Sequence, residues 1–269
     1  MKKGRMALIV FTLIVFVLTG CGGQADEEKV PAAEGPTDEA VEINISAAAS
    51  LTEALTEIQT EYEKESNAIL LFNFGASGAL QKQIEEGAPC DLFLSASKAN
   101  MDALEEAGII EADSIKNILG NTLTLVAAAE KEDVVRGYEA LTSADVTSIS
   151  IGIPESVPAG KYAQQALENL GIWDQIQGKI VFAKDVKQAL EYVETGNADC
   201  GLVYKTDAKT METGLIVAEL PEDTHDPIVY PAALTMDSAQ AEAAAKFYEF
   251  LQTDYAKGIF EKYGFSVLS

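Results

Sequence analysis

Hydroxyl side chains set among very small neighbours are the residues of this sequence best suited to chemistry. In Ser46-Ala47-Ala48-Ala49-Ser50-Leu51-Thr52-Glu53, the pair Ser50 and Glu53 has capping-box spacing, which predicts Ser50 at the N-cap of a helix. There its hydroxyl and the free first-turn N–H groups, supported by the helix dipole, would suit an anion. A second turn, Phe74-Gly75-Ala76-Ser77-Gly78-Ala79-Leu80, surrounds Ser77 with residues small enough for backbone to approach a ligand in a nest-like concavity. Pro154-Glu155-Ser156-Val157-Pro158-Ala159-Gly160 leads from a strand end into a helix start. Ala183-Lys184-Asp185-Val186 opens another helix, with Asp185 as its cap and the Val186 N–H left free. Gly201-Leu202-Val203-Tyr204 ends a strand with a phenol able to face a cleft. Each turn, taken singly, reads equally well as an ordinary helix start.

A rival chemistry shares one of these turns. Gly75-x-Ser77-x-Ala79 approaches the nucleophile elbow of serine hydrolases, which needs a histidine base. His225 is the sole histidine, and it lies in the polar loop Pro221-Glu222-Asp223-Thr224-His225-Asp226-Pro227, the setting of a solvated connection. An extracellular hydrolase therefore stays as a remote alternative to a binding protein, and no catalytic residue is assigned.

The turns need a scaffold, and hydrophobic period supplies one. Alternating or continuous apolar runs predict strands at 41–45, 69–74, 91–95, 123–129, 148–153, 180–183, 201–204, 215–219 and 228–236, and helical spacing predicts helices at 51–62, 80–86, 98–107, 160–170, 186–195, 238–251 and 255–263. Repeated strand–helix–strand order in two series implies two α/β lobes with mostly parallel sheets covered on both faces. Ligands of such sheets sit at the carboxyl ends of strands, where the turns above fall.

Charge and the N-terminus bound the setting. The 269 residues carry 43 acidic against 19 basic side chains, a formal charge of −24, with 48% hydrophobic residues. That composition supports a buried core and argues against a nucleic-acid partner. Lys2, Lys3 and Arg5 precede an apolar run over 6–18, too short to span a bilayer and typical of a signal sequence. Residues 1–20 read as that signal, Leu18-Thr19-Gly20-Cys21 resembles a bacterial lipobox that would leave Cys21 carrying lipid, and residues 21–40 read as a flexible acidic tether. Cleavage removes three positive charges and no negative ones, so the exported chain is more acidic still, at −27. Cys90 and Cys200 remain; an oxidising compartment permits a disulfide, although both sit at starts of apolar strands and read as small buried hydrophobes.

The succession AAASLTEAL, FGASGALQKQIEEGAPCDLFLSAS, LGNTLTLVA, PESVPAGKYAQQAL, AKDVKQAL, GLVYKTDA and EKYGFSV resembles the extracytoplasmic molybdate-binding proteins of ABC transporters across residues 41–269. The resemblance implies a two-lobe periplasmic-binding-protein fold of type II, with residues 41–122 plus 234–269 forming lobe 1 and 123–233 forming lobe 2. It implies an oxyanion, molybdate and by chemical similarity tungstate, held by Ser50 and Ser77 through backbone N–H and hydroxyl, Ala159 and Val186 through backbone N–H, and Tyr204 through its hydroxyl. It implies no cofactor and no bound metal cation, a membrane permease with its ATPase as partner, and a monomer lipid-anchored outside the cell membrane. A receptor for another small oxyanion on the same fold is the alternative. Ala76 and Gly78 stand where many relatives have serines, which puts extra hydroxyl contacts at that turn in doubt. Lys161, Lys184, Lys187 and Lys205 flank the second-lobe turns and would make the cleft rim less negative.

Overall fold

A computed structural model describes residues 40–268. The signal segment, Cys21 and the tether up to residue 39 lie outside the described residues, and no described helix is long and apolar enough to cross a membrane. Two mixed sheets, each with helices against it, carry the chain.

The first sheet is built mostly from the N-terminal half. Strands β1 (Val41–Ala48), β2 (Ala68–Gly75) and β3 (Leu92–Leu94) run parallel, with helices α1 (Thr52–Glu65) and α2 (Ser77–Glu85) as crossovers and α3 (Lys98–Glu106) following β3. Strand β4 (Lys116–Gly120) then leads into the second sheet. That sheet holds β5 (Leu123–Ala127), β6 (Ile149–Gly152), β7 (Ile180–Ala183), β8 (Cys200–Tyr204) and β9 (Leu215–Glu219), with helices α4 (Pro158–Asn169), α5 (Trp173–Ile176), α6 (Val186–Glu194) and α7 (Lys205–Ala208). The chain returns through β10 (Val229–Leu234), α8 (Ala241–Phe250), α9 (Asp254–Tyr263) and β11 (Ser266–Val267). Strand order is β11-β4-β10-β3-β1-β2 in the first sheet and β7-β6-β8-β5-β9 in the second.

Two expectations need correction. The sheets are mixed rather than mostly parallel: β10 runs antiparallel to β3 and β4, β11 to β4, and β5 to both β8 and β9. These are the strands at or beside the two crossings between lobes, where the chain reverses instead of passing through a crossover helix. The expected edge of lobe 2 at residue 233 is also too late, because β10 pairs inside the first sheet. Local hydrophobicity identifies a strand but not the sheet it joins.

Burial explains why these segments settle as they do. Leu92, Phe93 and Leu94 are all buried, the continuous apolar run of a strand covered on both faces. Phe93 packs with Leu80, Ile84, Met101 and Leu104 of α2 and α3, while Leu92 and Leu94 join the main core on the opposite face. Helix α1 buries Ala54, Leu55, Ile58 and Tyr62, one stripe at helical spacing, and Tyr62 meets Phe247 of α8 edge to face at 4.9 Å. Cys90 and Cys200 are both free. Cys200 is fully buried, and burial pushes its thiol up to about 12.

Candidate functional site

Strand ends and helix starts place six short segments around one cavity. Its walls are Ala48, Ala49 and Ser50 after β1, Gly75, Ala76 and Ser77 after β2, Ala96 after β3, Val157, Pro158 and Ala159 at the start of α4, Val186 at the start of α6, and Tyr204 at the end of β8. All five residues expected to bind, Ser50, Ser77, Ala159, Val186 and Tyr204, therefore line a single space. The first three segments come from one lobe and the last three from the other. The cavity is small: its empty space is about 210 Å³ even with the open mouth counted.

Local sequence accounts for the free donors. Pro158 occupies the first position of α4, where its fixed φ suits the helix and its missing N–H costs nothing, so the first N–H of that turn belongs to Ala159. Gly160 follows because a Cβ there would overlap the Gly152 carbonyl of β6, and this contact seats the start of α4 on the sheet. Asp185 caps α6 by accepting from the Gln188 N–H at 2.8 Å, while the Val186 N–H, one of the first four in the helix, has no intrahelical acceptor. In α2 the Ala79 and Leu80 N–H groups return to the Ala76 carbonyl, and Gly78 N–H donates across the cleft to the Ser156 carbonyl at 3.0 Å.

Ser50 differs from its sequence reading. It lies within a 3-10 turn, Ala49–Leu51, that precedes α1, and no side chain caps either element. Glu53 is thereby released from the capping box, and Thr52 Oγ1 donates instead to the Ala49 carbonyl at 2.6 Å. Ser50 Oγ lies 2.8 Å from the Tyr230 hydroxyl, and Asn121 Nδ2 donates to that same hydroxyl at 3.1 Å. The Tyr230 oxygen accepts from Asn121, and either hydroxyl can donate in the Ser50–Tyr230 bond; when Tyr230 donates, the Ser50 proton is free for the cavity. Ser77 is arranged similarly: its Oγ accepts from the Ala96 N–H at 2.9 Å, so its proton is also available. Asn121 and Tyr230 were not found from sequence, since the Ser50–Tyr230 contact joins positions 180 residues apart.

Tyr204 supplies the third hydroxyl. It is 1% exposed, and its oxygen has no hydrogen-bond partner among the described residues, an arrangement that costs stability unless something else accepts its proton. Burial foremost, with Tyr230, Tyr162 and Asp207 nearby, raises its pKa well above the ordinary phenol range. The phenol therefore stays protonated at neutral pH and acts as a donor. Apart from that phenol, no ionisable side chain lines the cavity.

Charges lie just outside the lining. Asp207 of α7 is fully buried, and burial raises its carboxyl to about 6 while Lys187 pulls it down. Lys187 pairs with Asp207 and Glu53, and Lys205 pairs with Glu219. Of the four lysines expected to sweeten the cleft rim, these two are thus occupied by carboxylates, while Lys161 and Lys184 are exposed. His225 does not line the cavity; its Nδ1 lies 2.8 Å from the Asp226 carbonyl, and Ser77 has no histidine among its hydrogen-bond partners.

The profile of the bacterial extracellular solute-binding proteins matches residues 43–266. YvgL of Bacillus subtilis, provisionally named an ABC transporter substrate-binding lipoprotein, is 41% identical over 97% of this chain and 98% of its own. The molybdate-binding protein ModA of Haemophilus influenzae is 38% identical over 83% of this chain and 89% of its own. Among solved structures, the substrate-binding domain of a provisionally assigned molybdenum ABC transporter from Clostridium difficile is 45% identical, covers 85% of this chain and all of its own, and superimposes with a TM-score of 0.67. Two α/β lobes, a cleft at their strand ends and a profile match across both lobes make this chain a member of the bacterial extracellular solute-binding protein family.

Proposed function

We propose that this protein is the extracytoplasmic receptor of an ABC transporter for molybdate, binding tungstate as well. One observation carries the reading: the hydroxyls of Ser50, Ser77 and Tyr204 and the first-turn N–H groups at Ala159 and Val186 surround a small cavity with no carboxylate, lysine or arginine among the described residues that line it. A site rich in donors and free of carboxylates suits an anion that has already lost its protons, because each oxygen can accept and none needs to donate. Hydrogen bonds to a charged group in an enclosed site are strong, so no cationic side chain is needed. The identities of the relatives support molybdate as the anion. Selection against the smaller sulfate then rests on cavity size and donor spacing, and tungstate, close to molybdate in shape and charge, shares the site. A protonated phosphate would have to find an acceptor for its proton.

Donors from both lobes give the ligand contacts in the closed form that the open form lacks, and closure follows from that difference. The closed receptor would deliver the anion to a permease and its ATPase, as a monomer held to the outer face of the cell membrane by lipid on Cys21. Calorimetry on the purified protein with molybdate, tungstate, sulfate and phosphate tests the assignment. Molybdate and tungstate should bind tightly; failure of both overturns the reading, and equal binding of sulfate overturns the selectivity argument in favour of a general oxyanion receptor.

A further inference from the structure

We propose that Lys187 is a positioning residue that clamps the lobes shut from outside the cavity, slowing release of an anion it does not touch. It is the second residue of α6, directly after Val186, and its Nζ lies 2.6 Å from Glu53 Oε2 and 3.2 Å from Asp207 Oδ1. Glu53 belongs to the first turn of α1, three residues beyond Ser50. One ammonium therefore joins the two chain segments that present a binding serine from the first lobe and a binding amide from the second.

The two contacts have different roles. Asp207 is fully buried, in the same lobe as Lys187, and neither of its oxygens has a geometrically good hydrogen bond; the 3.2 Å approach of Lys187 is an ion pair without hydrogen-bond alignment. A buried carboxylate needs a cation beside it, so Lys187 stays with Asp207 whether the lobes are open or closed. The Glu53 contact crosses the cleft and exists only when the lobes meet. Its side chains are 26% and 36% exposed, shielded enough for the pair to count and open enough for Glu53 to be hydrated when the lobes part. A contact present in one state alone shifts the equilibrium toward that state.

The Gly78 N–H to Ser156 carbonyl bond closes the cleft at the α2–α4 side, and a Cβ on Gly78 would lie 2.7 Å from that carbonyl oxygen. Lys187 and Glu53 close it at the α1–α6 side. Neither closure point is among the residues proposed to hold the ligand. Fixing the positive charge between two carboxylates also withholds it from the cavity, so the clamp adds closed-state stability without adding a cation to the donor set.

The test rests in part on the oxyanion reading and is arranged so that the two can fail separately. Glu53→Gln, Lys187→Met, Lys187→Arg and the Glu53→Gln/Lys187→Met double variant are compared with the wild type. The readouts are molybdate association and dissociation rates, and small-angle scattering of the ligand-free protein. Glu53→Gln should speed molybdate dissociation by about tenfold, the effect of one partly shielded charge pair, leave association within about twofold, and enlarge the ligand-free radius of gyration. Lys187→Arg should restore slow dissociation, and the double variant should be no faster than Lys187→Met alone. Should Lys187→Met fail to fold because Asp207 loses its counterion, Glu53→Gln still decides the question. Unchanged dissociation and unchanged ligand-free dimensions in Glu53→Gln overturn the clamp, as do additive effects in the double variant. If the wild type binds no oxyanion, the functional reading fails and scattering alone judges the clamp.

Discussion

Removing one oxygen from Tyr204 should change stability and binding in opposite directions. The Tyr204 hydroxyl is buried with no acceptor among the described residues, and Tyr204→Phe keeps the ring that meets Tyr230 at 6.0 Å while deleting the unsatisfied group. A buried, unpaired hydroxyl costs about 1–3 kcal/mol, so the ligand-free variant should unfold at a higher temperature. At about 2–4 °C per kcal/mol for a chain of this size, the rise should be several degrees. With the anion bound, the same hydroxyl donates to a charged acceptor, a contact of about 1.5–3 kcal/mol, and its loss should weaken molybdate roughly 10- to 150-fold at 1.4 kcal/mol per decade. Differential scanning calorimetry without ligand and titration calorimetry with molybdate read the two effects independently. Unaltered affinity would remove the phenol from the donor set. A lower ligand-free melting temperature would show that the hydroxyl has an internal partner, contrary to the geometry.

Three further substitutions probe the surrounding machinery. Ser50→Ala should weaken molybdate by about 1–3 kcal/mol and also lower ligand-free stability by about 1 kcal/mol, because Tyr230 loses its 2.8 Å partner; a binding loss with no stability loss would argue against the relay from Asn121 through Tyr230, as read by the same two calorimeters. Gly160→Ala should cost about 1–3 kcal/mol of stability and weaken binding through displacement of Ala159, since its Cβ would overlap the Gly152 carbonyl; wild-type melting and affinity would refute that seating of α4. Asp207→Asn bears on pH. Burial holds the Asp207 carboxyl near 6 in the folded protein despite Lys187, above its unfolded value near 4, so the native state takes up this proton more readily and the residue's contribution to stability is lost as pH rises through that window. Urea unfolding from pH 4 to 7 should therefore show the variant gaining on the wild type as pH rises to about 6 and a constant difference above it; parallel profiles would refute the raised value.

The turns were legible because each is local. Pro158 next to Ala159, Asp185 ahead of Val186, and the small residues around Ser77 are features of a few consecutive positions, and helix-start chemistry follows from them directly. The capping box at Ser50 was local too, and it failed because a tertiary partner prevailed: the Ser50 hydroxyl points to Tyr230 rather than back to its own helix. Tyr230, Asn121 and the Glu53–Lys187 pair could not be read at all. Each depends on which distant segment the sheet order brings alongside, and the antiparallel placement of β10 beside β3 and β4 leaves no mark on the sequence of β10 itself.

The acidic composition takes on a definite physical meaning once the charges are located. The chain carries −24 overall, yet the cavity is walled by alanine, glycine, serine, valine, proline and one protonated phenol. Repulsion between the remote acidic surface and an approaching anion acts at long range and is screened within about 8 Å at physiological salt, so it bears on encounter. The energy of holding the anion comes from N–H and O–H dipoles at contact distance, which screening scarcely reaches. Asp207 and Glu53 are both held by Lys187; the three charges sum to a single negative one, and none of these side chains lines the cavity. A lysine turned into the cavity would attract every anion alike; one turned away toward two carboxylates leaves discrimination to donor spacing and cavity size.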